Sequence, residues 1–534
     1  MKHLLHSALI VFCLPNAIHA TTFHISPANG SMLNDGSFAA PWSTLAEVFD
    51  ADLFETRSYF PLPYVEGVSQ LTPKNVGAPV QPGDTLMLYD GLHGVVFYRG
   101  AFNADTITVM AAAGHVPILS SFQLQAGAKW RFIGLHVSPE PYGVYPGGHL
   151  MHFESHNWHG PVREVEVRDC ELYTSANTSA WTAQDWVDRH SNGIRYFGKQ
   201  GLILNNLFTN TRFALTLSGD SSQAIGNSII NFSGDGIRPL GSDILVEGNT
   251  IKNCYDVDAN HDDGIQSFTD PSDPFYRVVL RGNRIINFDD PNQPLRGPLQ
   301  GIGCFDGPFI DWVVENNVVI VDHWHGISLY GAINCVVANN TVIDPTPEVD
   351  PGPSWIRIDD NVDAVSSGCV VANNIANTYS VTGAQLINNI ALPLTADYAL
   401  HFVDAAAYDL HLLGTSTAIN VADEFYAPLV DFDGTLRPVG GQSDIGAYEY
   451  SGTTALPSVQ GSPFGIYPNP VADRLFVSLP TGAATSTFEV LDQLGRAVLM
   501  GRDMDRGWID VRALPPGLHM LRMNGSNGVR FIKE

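Results

Sequence analysis

Between residues 192 and 328 the pair Gly-Ile returns five times behind a changing polar residue: Asn192-Gly-Ile-Arg195, Asp235-Gly-Ile-Arg238, Asp263-Gly-Ile-Gln266, Gln300-Gly-Ile-Gly303 and His325-Gly-Ile-Ser328. A constant apolar position beside a changing polar one is the pattern of one strand recurring in successive coils of a solenoid. The Ile then faces the core. The changing residues stack on one outer face, where Asp, His and Arg from distant parts of the chain become neighbours, and function is expected there.

A second phrase keeps the same beat. An Asn follows one strand and precedes an apolar pair at Asn206, Asn227, Asn249, Asn283, Asn317, Asn340 and Asn374. A period in the twenties, built from β-branched runs with Asn and Gly at the turns, indicates a parallel β-solenoid rather than a leucine-rich repeat, whose Leu spacing is missing. Stacked Asn side chains can bond from coil to coil, so this ladder is expected to be structural. Runs such as Ile229-Ile230 and Val318-Val319-Ile320 supply the apolar layers.

On these residues the chain resembles the right-handed parallel β-helix proteins of the pectate-lyase-like superfamily. The opening segment "FHISPANGSMLNDGSFAAPWSTLAEV" from Phe23, the coil "GDTLMLYDGLH" from Gly83 and the closing segment "DFDGTLRPVGGQSDIGAYEY" from Asp431 are similar to theirs. The fold class expected is all-β, a right-handed parallel β-helix over 21–450 followed by a small C-terminal β-sandwich. Such a fold hosts lyases, hydrolases, epimerases and adhesins alike, so it leaves the reaction open. After a Gly/Ser/Thr/Pro-rich linker at 451–463, the segments "YPNPVADRLFVSL", "FEVLDQLGRAVL" and "WIDVRALPPGLHMLRM" read as strands of that sandwich. Residues 464–534 resemble the C-terminal sorting domain of the type IX secretion system. That resemblance implies a Bacteroidota-type bacterium, the type IX machinery as a partner, and a secreted or outer-membrane cell-surface location.

The ends and the composition agree with export. Lys2 and His3, the short apolar run Leu4 to Leu14 and a small residue at Ala20 read as a signal peptide over 1–20, too short to span a bilayer. Lys and Arg number 28 against 55 Asp and Glu, a net charge of −27, which argues against nucleic acid or an anionic membrane as partner. No transmembrane segment is expected, and the protein is read as a monomer. Outside the signal, Cys170, Cys254, Cys304, Cys335 and Cys369 have no metal-type spacing; Cys335 and Cys369 occupy equivalent places in "NCVVANN" and "GCVVANN", which suggests a buried thiol ladder, with a disulfide between them as the alternative.

Aligning the coils on Gly-Ile sets Asn192, Phe213, Asp235, Asp263, Gln300, His325 and Ser354 in one column. Arg195, Thr216, Arg238, Gln266, Gly303, Ser328 and Arg357 form a second, and His190, His261 and His323 fall in a third. Adjacent strands lie ~4.8 Å apart, so residues of neighbouring coils can act on one sugar. The segment Asp256 to Asp263 is the richest in carboxylates. Crowded carboxylates imply a bound cation or a raised carboxyl pKa, so Asp258, Asp262 and Asp263 are candidate ligands for Ca²⁺.

The expected partner is an acidic, uronate-containing polysaccharide. For β-elimination a base removes the C5 proton, and Arg238, His261, His325 or Lys252 could serve. The resemblance to pectate lyases favours Arg238 or Lys252. His190, Arg195, His323 and Arg357 would bind substrate. For hydrolysis two carboxylic groups among Asp235, Asp262 and Asp263 would act as acid and base. The series Asp235-Gly, Asp262-Asp263-Gly, His325-Gly and Arg357 is similar to that of polygalacturonases, though Asp359 stands where those enzymes carry Lys. The sequence leans to the lyase, with a polygalacturonase-like hydrolase and a non-catalytic glycan-binding protein or adhesin as alternatives.

Overall fold

The computed structural model describes residues 20–290 and 292–452, and within the C-terminal part 465–467, 469, 471–478, 487–492, 497–502, 508–523 and 529–533. Nearly all of the signal-peptide and linker segments therefore lie outside the described residues. From Thr22–Ile25 to Ile390–Ala391 the chain winds as a solenoid whose 32 strands form one ladder of parallel pairings, three strands to a typical coil. The short helix Leu45–Asp50 turns Leu45, Val48 and Phe49 onto the open end of the first coils. There Phe49, Phe54, Tyr98, Phe122 and Trp130 meet edge to face or tilted.

The repeated Gly-Ile builds this stack in two ways. Ile194, Ile237, Ile265, Ile302 and Ile327 are buried in the central core. The Gly before each has no room for a side chain: a Cβ on Gly264 would stand 2.8 Å from the Gly301 carbonyl oxygen and 2.5 Å from Ile285, and one on Gly301 would stand 2.3 Å from the Gly326 oxygen. These glycines are needed for close approach between coils.

The Asn ladder is continuous. Each Asn donates its side-chain N–H to the side-chain oxygen of the next, from Asn206 through Asn227, Asn249, Asn283, Asn317, Asn340 and Asn374 to Asn389, at 2.9–3.0 Å. The same oxygen takes the backbone N–H of the previous Asn, as Asn283 does from Asn249 at 3.1 Å. The residue before each rung is left-handed: Asn205, Gly226, Gly248, Gly282, Asn316, Asn339, Asn373 and Asn388 all have φ between 48° and 66°. Asn and Gly tolerate that conformation best, which is why every one of these positions is Asn or Gly.

Past the last coil the chain reverses. A helix, Thr395–His401, and an antiparallel pair, Phe402–Asp404 with Asp409–Leu412, precede a closing segment that packs against the outside of the coils. Arg437 and Glu449 form a buried ion pair within it at 2.6 Å, and Ala447 donates to Thr341 Oγ1. The C-terminal residues form two antiparallel sheets of three and four strands, and Leu518 and Ile532 pack against the outward valines Val279, Val313 and Val336. Cys335 and Cys369 are free and buried, with the Cys335 N–H on Cys369 Sγ at 3.4 Å.

Candidate functional site

The outer face carrying the variable residues consists of the strands His149–Glu154, Asn192–Phe197, Leu215–Ser218, Ile237–Leu240, Asp263–Phe268, Gln300–Asp306, His325–Tyr330 and Trp355–Asp359. The column His152, Arg195, Thr216, Arg238 follows the observed pairings, as do Gln266 with Gly303 and Ser328 with Arg357. The other column differs at its end. A register shift pairs His325 with Trp355 in place of Ser354, which is buried and donates to the Val321 and His323 carbonyls. An indole therefore stands where the Gly-Ile alignment placed a hydroxyl.

At the centre two carboxylates are buried, each beneath a basic side chain. Asp235 is held by Arg238, whose guanidinium lies 3.7 Å from the Phe213 ring centre, and its Oδ1 accepts the Asp263 backbone N–H at 3.2 Å. Asp263 Oδ2 accepts from His261 Nδ1 at 3.1 Å and from Gln266 Nε2 at 2.9 Å. Both carboxylate side chains are 0% exposed, whereas the His261 side chain is 61% exposed, so the imidazole and not the acid meets solvent. Burial pushes Asp263 up to about 7 and raises Asp235 as well. The hydrogen bond to Asp263 raises His261 in turn. Asp263 Oδ1 and Gln300 Oε1, on neighbouring strands, are buried without a hydrogen-bond partner among the described residues.

His325 is built for a different task. Its Nδ1 lies 2.9 Å from Ser328 Oγ and accepts from Trp355 Nε1 at 3.3 Å, which directs the ring proton to Nε2. Burial lowers it to about 4, and lowers His323, stacked on it at 5.2 Å, to about 4 too. Both are neutral at pH 7. His325 is thus a hydrogen-bond donor and His261, with Nδ1 committed to Asp263, keeps Nε2 as a proton acceptor.

Phe305 links the two, 6.4 Å from the His261 ring and 4.8 Å from the His325 ring. Beyond them Trp355 stacks on the exposed Trp324 at 5.9 Å, and Arg357 lies 4.9 Å over Trp355 while bonding Asp359. Gly303 keeps the centre open, since a Cβ there would fall 2.1 Å from Asp263 Oδ1 and 2.8 Å from Phe305. Gly303→Ala is expected to push Asp263 off His261, lowering any His261-dependent turnover about tenfold or more while the melting temperature shifts little; activity assays beside thermal melts check this.

Other expected residues lie elsewhere. Asp262 faces inward, with Cys254 Sγ 3.4 Å from its Oδ2 and Asn260 on its Oδ1, and burial pushes it up to about 7. Asp258 pairs with Arg212 at 2.8 Å. Asp258, Asp262 and Asp263 thus point to three different partners, and among the described residues no group of three His, Cys, Asp or Glu converges on a metal position. As oriented here, these three carboxylates do not make a Ca²⁺ donor set. Lys252 sits on Thr250–Cys254, in a different sheet face, and pairs with Asp289. His190 ends the helix Ala183–Arg189 with its Nδ1 on the Trp186 carbonyl at 2.9 Å. Trp186 in that helix is buried against Tyr255 and anchors it as a wall. Phe305 and the pair His149 and His152 were absent from the sequence-derived site, whereas Trp355 was expected near the groove but not in the column beside His325. Strand alternation from Gly303 marks Phe305 as outward, but the register shift that brings in Trp355 has no signature in the repeat.

Residues 160–391 match the model of the right handed beta helix region, and residues 465–534 match that of the secretion system C-terminal sorting domain. No curated protein matches the chain. Among solved structures, the chain is similar to pectate lyase Pel9A, at 17% identity over 80% of this chain and 97% of that one, with a TM-score of 0.40. It is also similar to the A-module of the Azotobacter vinelandii mannuronan C-5 epimerase AlgE6, at 11% identity over 58% and 90%, with a TM-score of 0.34. The Streptococcus pneumoniae surface protein and adhesin PfbA is 10% identical over 59% and 84%, with a TM-score of 0.30. No helix among the described residues is long and apolar enough to cross a membrane. The chain is a right-handed β-helix protein that ends in a type IX secretion sorting domain and is exported to the cell surface or the extracellular space.

Proposed function

We propose that the outer face acts on an acidic polysaccharide and cleaves it by β-elimination, with His261 as the base. The observation that carries this reading is the His261–Asp263 pair, an exposed imidazole oriented by a buried carboxylate whose backbone N–H bonds Asp235, the partner of Arg238. Elimination needs the C5 proton of a uronate made acidic and then removed. Arg238 and Gln266 would hold the uronate carboxylate, and His261 Nε2 would take the proton. The electron pair left at C5 forms the C4–C5 double bond as the C4–O4 bond breaks, and the leaving oxygen takes the proton back from the imidazolium. The His325 Nε2–H would hydrogen-bond the substrate, and the Trp324–Trp355 stack would face a sugar ring.

Hydrolysis asks for two carboxylic groups that touch the glycosidic bond or its water. Asp235 and Asp263 are both covered, by Arg238 and His261, which weighs against them in that role. Incubating the secreted protein with a panel of acidic polysaccharides, with and without a chelator, tests the reading. Expected are unsaturated products whose summed mass contains no added water, formed equally with chelator. Saturated products with added water, or no products from any substrate, would sink it.

A further inference from the structure

Three strands from Gln266 along the same face lies a charge that the reaction does not use. Arg195 is half-buried, and it has no carboxylate partner among the described residues, whereas Arg238 and Arg357 in its column are paired with Asp235 and Asp359. Its Cα neighbour on the adjoining strand is His152, with His149 three residues before. The two imidazoles stand 5.0 Å apart, and among the described residues His149 Nδ1 and His152 Nε2 are buried without a hydrogen-bond partner. Burial together with the Arg195 charge holds both histidines below their usual range, so they add no positive charge of their own at neutral pH. Phe197, 42% exposed, lies 5.9 Å from the guanidinium and offers a flat apolar surface. Glu154, opposite Phe197 on the adjoining strand, is taken up by Gln125 at 2.7 Å and Gln123 at 3.4 Å.

An unpaired guanidinium in a chain of net charge −27, beside two neutral imidazoles and an exposed ring, matches one kind of occupant. We propose that Arg195, His149, His152 and Phe197 form a second subsite for an anionic sugar, bearing a carboxylate or a sulfate ester, that is separate from the reacting pair. The guanidinium takes the anion in a bidentate contact, the imidazoles hydrogen-bond its oxygens or neighbouring hydroxyls, and Phe197 stacks on the ring. Two strand spacings separate Arg195 from Arg238, ~10 Å, so one extended chain can occupy both places. The subsite rests on the reading of this face as glycan-binding and not on the elimination itself.

Calorimetric titration of the full-length chain, carrying His261→Ala so that nothing is consumed, tests it with hexamers of galacturonate, of mannuronate, of a sulfated galactose and of neutral galactose. At least one anionic hexamer is expected to bind, and Arg195→Gln to weaken it tenfold or more with an unchanged thermal melt. Arg195→Lys should lose less. Which anionic hexamer responds identifies carboxylate or sulfate as the group held. Equal affinity in Arg195→Gln, an equal loss for the neutral hexamer, or no binding by any anionic hexamer would overturn the subsite. If the hexamers bind but the unaltered chain cleaves none of them, the elimination fails while the subsite stands.

Discussion

His261→Ala should reduce turnover of an acidic glycan by about 10²- to 10⁴-fold, the usual contribution of a positioned general base. The loss should fall on kcat more than on KM, because the imidazole is asked to act on the proton in flight and Arg238 remains to hold the carboxylate. Asp263→Asn is the companion change. Because the hydrogen bond to Asp263 raises His261 above its ordinary 6.5, the neutral, basic imidazole forms only as pH rises through that raised value. The rate of the unaltered chain should therefore climb on an alkaline limb. Asn at 263 removes the carboxylate charge, so the limb should move to lower pH while its plateau falls. A pH–rate profile of kcat/KM for both chains checks the direction of the shift, and a limb that stays in place would show that another group is titrating.

Asn283→Ala should be among the most damaging single changes in the coils, costing about 3–5 kcal/mol. Asn283 donates to Asn317 Oδ1 and to the Val246 carbonyl, and its own oxygen takes both the backbone and the side-chain N–H of Asn249. Alanine takes this partner from the Asn249 backbone N–H, from one Asn249 side-chain N–H and from the Val246 carbonyl, at about 1–3 kcal/mol for each that no water reaches, while Asn317 Oδ1 keeps the backbone N–H of residue 283. Asn389, the part-buried last rung, should cost only about 1 kcal/mol because water can replace it. Guanidinium unfolding midpoints of the two variants measure the contrast. Equal losses would mean that the ladder does not act as a buried chain.

The constant positions could be read from sequence because their physics repeats in every coil. An Ile that must be buried, a Gly with no room for Cβ and an Asn that must bond its counterpart recur wherever one coil stacks on the next, so a period exposes them. The left-handed residue before each rung is legible in the same way, as an Asn or Gly at 205, 226, 248 and 282. The site obeys no period. Asp262 and Asp263 are adjacent and chemically identical, yet one turns in to Cys254 and the other meets His261, a difference set by local backbone direction. Lys252 looked near Asp263 in sequence but occupies another face of the coil, since three strands share each turn of chain. Trp355 replaced Ser354 through a single register shift between His325 and Ile327. His149 and His152 escaped notice because their strand, "HLMHFE", lacks the Gly-Ile phrase that anchored the alignment.

Whether this face removes a proton or adds water is read by following one atom. A uronate glycan labelled with deuterium at C5 should be digested to completion and its fragments weighed. Every fragment with a new non-reducing end is expected to have lost that deuterium, to carry a double bond and to have gained no water. Fragments that keep the deuterium at C5 and gain water at the cleaved bond would contradict proton removal.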